Sequence, residues 1–146
     1  MRFKALMLTL VLLLPGCLDS EGEEIRFNGR NLEGSDVYMF TLEDSKGPLW
    51  NLTEQEGKVV VLAFIFTRCD NTCPVTSQNL KVVYESLTED ELAKVSFVSV
   101  TVDWRHDSPS ELNNWSDRMG YDWPHLTGAK QALDPVYENY GVFPVE

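Results

Sequence analysis

The stretch FIFTRCDNTCP at residues 64–74 decides the fold of this 146-residue chain, because it joins an apolar run to two cysteines and a proline. The run begins at Val59 and reads VVVLAFIF through Phe66, so it is rich in β-branched and aromatic side chains. Its length and composition predict a strand buried on both faces, as in the middle of an α/β sheet. Pro74 predicts a helix running to about residue 87. Its inner side should carry Val75, Leu80, Val83 and Leu87.

The flanking sequence predicts further strands and helices in alternation. Residues 37–42 suit a strand followed by a turn at residues 45–48, and VSFVSVTV at residues 95–102 predicts another strand. Ser108, Pro109 and Glu111 form a capping box that starts a helix, which Gly120 ends. Residues 129–140 favour a helix that Pro135 should kink or restart. This order indicates an α/β layer sandwich with parallel central pairing.

Composition places the chain among single, acidic globular domains. It has 12 basic and 23 acidic side chains, a net charge of −11, and is 43% apolar and 24% charged. That balance and length fit one compact core. The low sequence pI, about 4.5, argues against a nucleic-acid partner, because phosphate binding depends on Lys and Arg.

The N-terminus, MRFKALMLTLVLLLPGC, combines basic residues, a short apolar run and a cysteine. Residues 1–16 are predicted to be a signal peptide, since the run is too short to cross a bilayer. The residues before Cys17 resemble the lipobox of prokaryotic lipoproteins, so Cys17 is the expected lipidation site, and residues 17–26 are an acidic tether. The domain then spans residues 27–146, outside the cytoplasm, on the outer face of the cytoplasmic membrane. An ordinary secretory signal with an incidental cysteine is the alternative.

Cys69 and Cys73 are the candidate site residues, because ligands gather at the carboxyl ends of strands in α/β sheets. The start of the following helix should lower the pKa of a nearby thiol. The two thiolates could close to a disulfide or bind a soft metal ion. A structural disulfide closing so short a loop would stabilise the fold little, because it removes little entropy from the unfolded chain. A closed zinc site requires four nitrogen or sulfur ligands, which this loop does not supply.

The same residues resemble the copper-site signature of the Sco/SenC family, thioredoxin-like copper metallochaperones for cytochrome c oxidase assembly. Similar family motifs occur in order across residues 40–142: FTLED at 40–44, GK at 57–58, VSVTVD at 98–103 followed by DSP at 107–109, and WPHLTG at 123–128. The resemblance implies a thioredoxin-like fold with an N-terminal β-hairpin. It also implies that Cys69 and Cys73 bind a copper ion as thiolates.

The resemblance also implies a third copper ligand, a histidine in a V-D-H-S segment that this sequence does not contain. His106 and His125 are possible surrogates, although a lone loop histidine is more often solvated or hydrogen-bonded. Capping explains Asp103 and Asp107 well enough. Two further strands and a final helix are expected after residue 146, so the chain is predicted to be a fragment. Without them residues 59–66 would form an unpaired apolar edge, and the chain alone should aggregate or stay partly molten.

The residues together with the family resemblance leave three possible functions. The first is a membrane-tethered copper chaperone whose partner is the copper-site subunit of a cytochrome c oxidase. The second is a thiol–disulfide oxidoreductase that keeps such a partner's cysteines reduced and is itself served by a thiol reductant. The third is a non-enzymatic lipoprotein with a structural disulfide.

Overall fold

A computed structural model describes residues 36–69 and 72–145 of the chain. The predictions for the signal segment, for Cys17 and for the acidic tether therefore lie outside the described residues. Within the described residues, no helix is long and apolar enough to cross a membrane.

The described chain alternates strands and helices, as the sequence predicts. It begins with β1 (Thr41–Asp44), β2 (Leu49–Asn51) and a 3-10 helix (Leu52–Gln55). The central elements are β3 (Val59–Ile65), α1 (Thr72–Ser86), α2 (Glu89–Leu92) and β4 (Val95–Thr101). The chain continues through α3 (Pro109–Met119), β5 (His125–Thr127) and α4 (Lys130–Tyr140).

These strands form one mixed sheet in the order β2-β1-β5-β4-β3. β3 pairs in parallel with β4 from Val59 opposite Val95 to Ile65 opposite Thr101, and β4 pairs in parallel with β5. β1 runs antiparallel to both β2 and β5, which confirms the N-terminal hairpin. The parallel pairing and the alternation of elements confirm the thioredoxin-like α/β fold.

β3 lies at the edge of the sheet among the described residues, not in its middle. Its first residue, Val59, is 64% exposed, and most of its other side chains are only half-buried. The prediction that this strand is buried on both faces was wrong for the described sheet, since only β4 pairs with it there. Within the described sheet, β3 is an apolar edge strand that pairs on one side only.

The sheet separates two apolar cores. On one face, α4 packs over side chains of the hairpin, β4 and β5, and Leu133, Val136 and Tyr137 are its fully buried residues. On the other face, α1 and α3 cover Ala63 and Ile65 of β3 and Phe97 of β4. Alternate residues of β4 enter opposite cores, as the period of a strand requires.

The helix α1 begins at Thr72, before Pro74, and its inner side differs from the predicted one. Five residues at helical spacing face the core or are buried: Cys73, Ser77, Leu80, Tyr84 and Leu87. Val75 is 61% exposed and Val83 is 48% exposed, so their placement on the inner side was wrong. Cys73 in the first turn packs against the core, so the buried stripe passes through Cys73 and not through Val75.

Two other boundaries differ from the sequence predictions. The first strand covers Thr41–Asp44, whereas residues 36–40 have no regular structure, so the strand predicted over 37–42 was placed too early. α4 runs through Pro135 without restarting, and the Asn139 side chain donates to the carbonyl of Pro135. Ser108 caps α3 as predicted, since its side chain accepts from the N–H of Glu111. The second half of the predicted capping box is not formed, because the N–H of Ser108 donates to the carbonyl of His106 at 3.0 Å and not to the Glu111 side chain.

Gly120 and Gly141 end α3 and α4 in the left-handed conformation, with φ of 67° and 66°. Alanine at either position should lower the free energy of unfolding by about 1 kcal/mol, because a Cβ disfavours this conformation. At Gly120 the new Cβ would also lie 3.0 Å from Lys81 Nζ, which donates to the Gly120 carbonyl. Nothing lies within 4 Å at Gly141. Urea unfolding should therefore show a larger loss for G120A than for the matched control G141A, and equal losses would contradict this reading.

Candidate metal centre

Cys69 and Cys73 lie together where β3 ends and α1 begins, as the sequence predicts. The N–H of Cys69 donates to the carbonyl of Phe66 at 3.3 Å, which turns the chain after the strand. The N–H of Cys73 donates to Sγ of Cys69 at 3.2 Å. Both side chains are partly buried, and neither forms a disulfide in the part of the chain that the structure describes. Two sulfur atoms thus lie close together, one just after β3 and one in the first turn of α1.

The protonation of Cys73 differs from the sequence prediction. Burial and the adjacent Cys69 side chain raise the pKa of the Cys73 thiol to about 11, despite its place in the first turn of α1. The prediction of a lowered pKa was wrong for this residue, because desolvation disfavours the thiolate more strongly than the helix start favours it. A soft cation bound between the sulfurs would replace the thiol proton, as metal binding to cysteine generally does.

Asp107 anchors the start of the cysteine loop. Its buried carboxyl accepts hydrogen bonds from the backbone N–H of Thr67 at 3.1 Å and from the Thr67 hydroxyl at 2.5 Å. The same carboxyl accepts from the hydroxyl of Thr101 on β4 at 2.5 Å. The capping role expected for Asp107 was wrong, since Ser108 is the cap of α3. Sequence reasoning missed the anchor because 40 residues separate its two ends.

A second carboxyl, Asp103, holds the side chain next to Cys69. Asp103 is almost fully buried and accepts from Arg68 Nη2 at 2.8 Å, while its other oxygen lies 2.8 Å from Nδ1 of His106. Burial opposes its ionisation, but the hydrogen bonds from His106 and Arg68 hold the pKa of Asp103 below its ordinary value. Asp103 therefore fixes side chains and does not cap α3.

His125 is placed away from solvent, in a cage of aromatic rings. Its ring is fully buried, with the centroids of Trp115 and Trp123 at 5.5 and 5.6 Å and that of Tyr121 at 6.3 Å. Neither ring nitrogen makes a hydrogen bond of normal geometry within the described residues. Burial, assisted by the charge of Lys46, lowers the pKa of His125 to about 4. This surrounding fits a neutral core histidine.

The described residues bring the two cysteines together but add no third ligand. Among them, no group of three or more His, Cys, Asp or Glu side chains could hold a metal ion. Within the described residues the two sulfurs would offer a soft donor pair, which suits an ion of low coordination number such as Cu(I) better than a four-ligand zinc site.

Comparison with known proteins identifies the family. A family model described as SCO1/SenC matches residues 31–145, most of the chain. The chain belongs to the SCO1/SenC family. A curated relative, an SCO2-like protein of Rickettsia felis, is 27% identical over 104 residues, which are 71% of this chain and 50% of the relative. This chain thus spans about half the length of the curated relatives it matches.

Solved structures of the family share the fold. Apo Sco1 from Thermus thermophilus aligns with a TM-score of 0.72 and 30% identity, over 84% of this chain and 70% of that one. Copper-bound ScoI from Bradyrhizobium japonicum aligns at 0.67 and 22% identity, over 73% and 68%. A structure of BsSco, in which a disulfide switch was identified, aligns at 0.59 and 27% identity, over 71% and 60%. BsSco is described as a member of the Sco family of cytochrome c oxidase assembly proteins.

Proposed function

We propose that this chain binds Cu(I) through the sulfurs of Cys69 and Cys73 and delivers it to the copper-site subunit of a cytochrome c oxidase. The observation that carries the proposal is that two partly buried cysteines lie together between the carboxyl end of β3 and the first turn of α1. Copper is the cargo, as the copper-bound relative in the same fold supports. The description of the Sco family as oxidase assembly proteins supports the choice of partner.

The surroundings of the sulfurs suit transient binding. Thiolate sulfur is a soft ligand that prefers Cu(I), and two such ligands leave room for a ligand from an acceptor protein. The raised pKa of Cys73 means that copper must displace a proton, and a returning proton would favour release. Because both cysteines are only partly buried, a partner protein can reach their sulfurs.

The proposal includes a lipid tether at Cys17, on the outer face of the cytoplasmic membrane. A tether would confine the domain to the surface where an oxidase is assembled, and the lipobox-like residues before Cys17 support it. The test is to fractionate cells that express the chain with its natural N-terminus and to analyse the mature N-terminus by mass spectrometry. We expect a lipid-modified Cys17 in the membrane fraction, and release of the protein by C17S. An unmodified N-terminus would overturn the tether while leaving copper binding open.

A second candidate function is thiol–disulfide exchange with the same kind of partner. The hydrogen bond from the Cys73 N–H to the Cys69 sulfur favours it, because such a contact stabilises an attacking thiolate. In this reaction the two thiols of the chain would pass two electrons and two protons to a partner disulfide, and the chain would end with a disulfide between Cys69 and Cys73.

A transfer assay separates the two functions. The reduced chain is loaded anaerobically with one equivalent of Cu(I) and mixed with a reduced, copper-free oxidase copper-site domain. We expect copper to move to that domain, as measured after rapid separation. In a parallel assay the copper-free chain meets the oxidised domain, and thiol labelling reports reduction. Copper transfer without reduction supports the chaperone, and reduction without transfer supports the oxidoreductase. If neither copper transfer nor reduction occurs, both proposed functions are overturned.

A further inference from the structure

The buried carboxyl of Asp107 ties Thr67, at the start of the cysteine loop, to β4 through several hydrogen bonds. Asp107 is fully buried, and no ion pair reaches it among the described residues. Its carboxyl is instead satisfied by three donors: the N–H and the hydroxyl of Thr67, and the hydroxyl of Thr101. Its backbone carbonyl accepts from the hydroxyl of Thr127 on β5 at 2.8 Å.

These bonds act at a point where the position of Cys69 is decided. β3 ends at Ile65, whose carbonyl accepts from the N–H of Val102 at 2.8 Å, and the chain then leaves the sheet. Thr67 follows two residues later and lies two residues before Cys69. Holding both the backbone and the side chain of Thr67 fixes where the loop starts, and hence where the sulfur of Cys69 lies relative to Cys73.

We propose that Asp107 is a positioning residue for the cysteine pair, acting through Thr67 to hold the two sulfurs at the separation that a single soft metal ion requires. The inference rests on the proposed function, since the metal is the Cu(I) named there. Groups that orient metal ligands from outside the ligand set typically contribute about 10–100-fold to metal affinity. Ligands that are held in place before binding also lose less freedom when the ion arrives.

A purely structural role for Asp107 is the competing explanation, because it also contacts β4 and β5. Two threonines allow the roles to be separated. T67V removes a hydroxyl contact between Asp107 and the cysteine loop, whereas the matched control T127V removes a buried hydroxyl contact between Asp107 and β5. T67S restores the hydroxyl to the loop. D107N alters the carboxyl directly, and if that variant fails to fold, the threonine variants still test the inference.

The first readout is Cu(I) affinity, measured anaerobically by competition with a chromophoric Cu(I) chelator on the whole chain. We expect T67V to lower the Cu(I) affinity by about tenfold or more, and T67S to restore it. T127V should change the affinity less than about twofold. This difference should hold even if both valine variants lower the midpoint of urea unfolding by similar amounts. Equal weakening by T67V and T127V would overturn the inference, as would an unchanged affinity in T67V.

The second readout does not depend on copper. In glutathione buffers, oxidised glutathione takes two electrons and two protons from Cys69 and Cys73, which gives the internal disulfide and two molecules of reduced glutathione. T67V should lower the equilibrium constant for this disulfide by about tenfold, because a loosened loop lowers the effective concentration of one thiol at the other. T127V should leave it unchanged. If the parent chain binds no Cu(I), the proposed function fails, and this equilibrium still decides whether Asp107 positions the cysteines.

Discussion

Replacing Cys73 with serine is expected to weaken Cu(I) binding more than any single change in the described domain other than the equivalent change at Cys69. The variant loses one of two sulfur ligands and offers a hard hydroxyl in its place, and Cu(I) discriminates strongly against oxygen donors. The loss should exceed the roughly 100-fold upper range for removing a group that only orients ligands. C69S should behave in the same way, because the pair holds the ion jointly. Competition with a chromophoric Cu(I) chelator measures the affinity.

The remaining cysteine of the chain, Cys17, provides a matched control for this experiment. C17S makes the same chemical change at the predicted lipidation site, so it should leave Cu(I) affinity unchanged. Far-ultraviolet circular dichroism on each variant shows whether the fold is retained. If C73S binds Cu(I) with nearly the parent affinity, Cys73 is not a ligand and the proposed site is wrong.

The second large effect is a loss of stability in mild acid caused by His125. In the unfolded chain this ring takes up a proton near its ordinary pKa of 6.5, whereas in the folded protein burial delays protonation until about pH 4. The unfolded state therefore binds more protons between those two values. The free energy of unfolding should fall as pH decreases through this window, by about 3 kcal/mol in all, and the contribution should be fully present above pH 6.5.

Urea unfolding from pH 7.5 to pH 4 tests this expectation by difference. H125N lacks the titrating ring, so the parent chain should lose about 3 kcal/mol more than H125N over that range. Y121F is the matched control, since it alters the same aromatic cage but keeps the histidine. It should retain the pH dependence of the parent. A parallel pH dependence in the parent chain and H125N would show that His125 is not protonated on unfolding.

Most of the strands and helices could be predicted from the sequence because their signals are local. The apolar run of β3 and the Ser108 cap of α3 are each read from neighbouring residues, and both elements are present. The face of α1 was harder to predict, since Val75 and Val83 are as apolar as Leu80 and Leu87. The face that packs against the core contains Cys73 and Ser77, and helical periodicity alone does not identify that face.

The position of the two cysteines could be predicted from the sequence, whereas the residues that hold them in place could not. The spacing of Cys69 and Cys73 after a strand predicts that they lie close together, and the N–H of Cys73 does contact the Cys69 sulfur. The contacts of Asp107 with Thr67 and of Asp103 with Arg68 join segments 40 and 35 residues apart. No local pattern indicates such pairs, and a single sequence shows them only as polar residues near a helix start. His125 likewise gave no sign of its aromatic cage, whose rings come from α3 and from the segment between α3 and β5.

X-ray absorption spectroscopy of the reduced chain loaded with one equivalent of Cu(I) identifies the atoms that bind the metal. We expect a ligand shell that contains two sulfur atoms, supplied by Cys69 and Cys73, and no copper retained by the C69S, C73S double variant after gel filtration. A shell of nitrogen and oxygen alone, or copper retained by the double variant, would contradict this expectation.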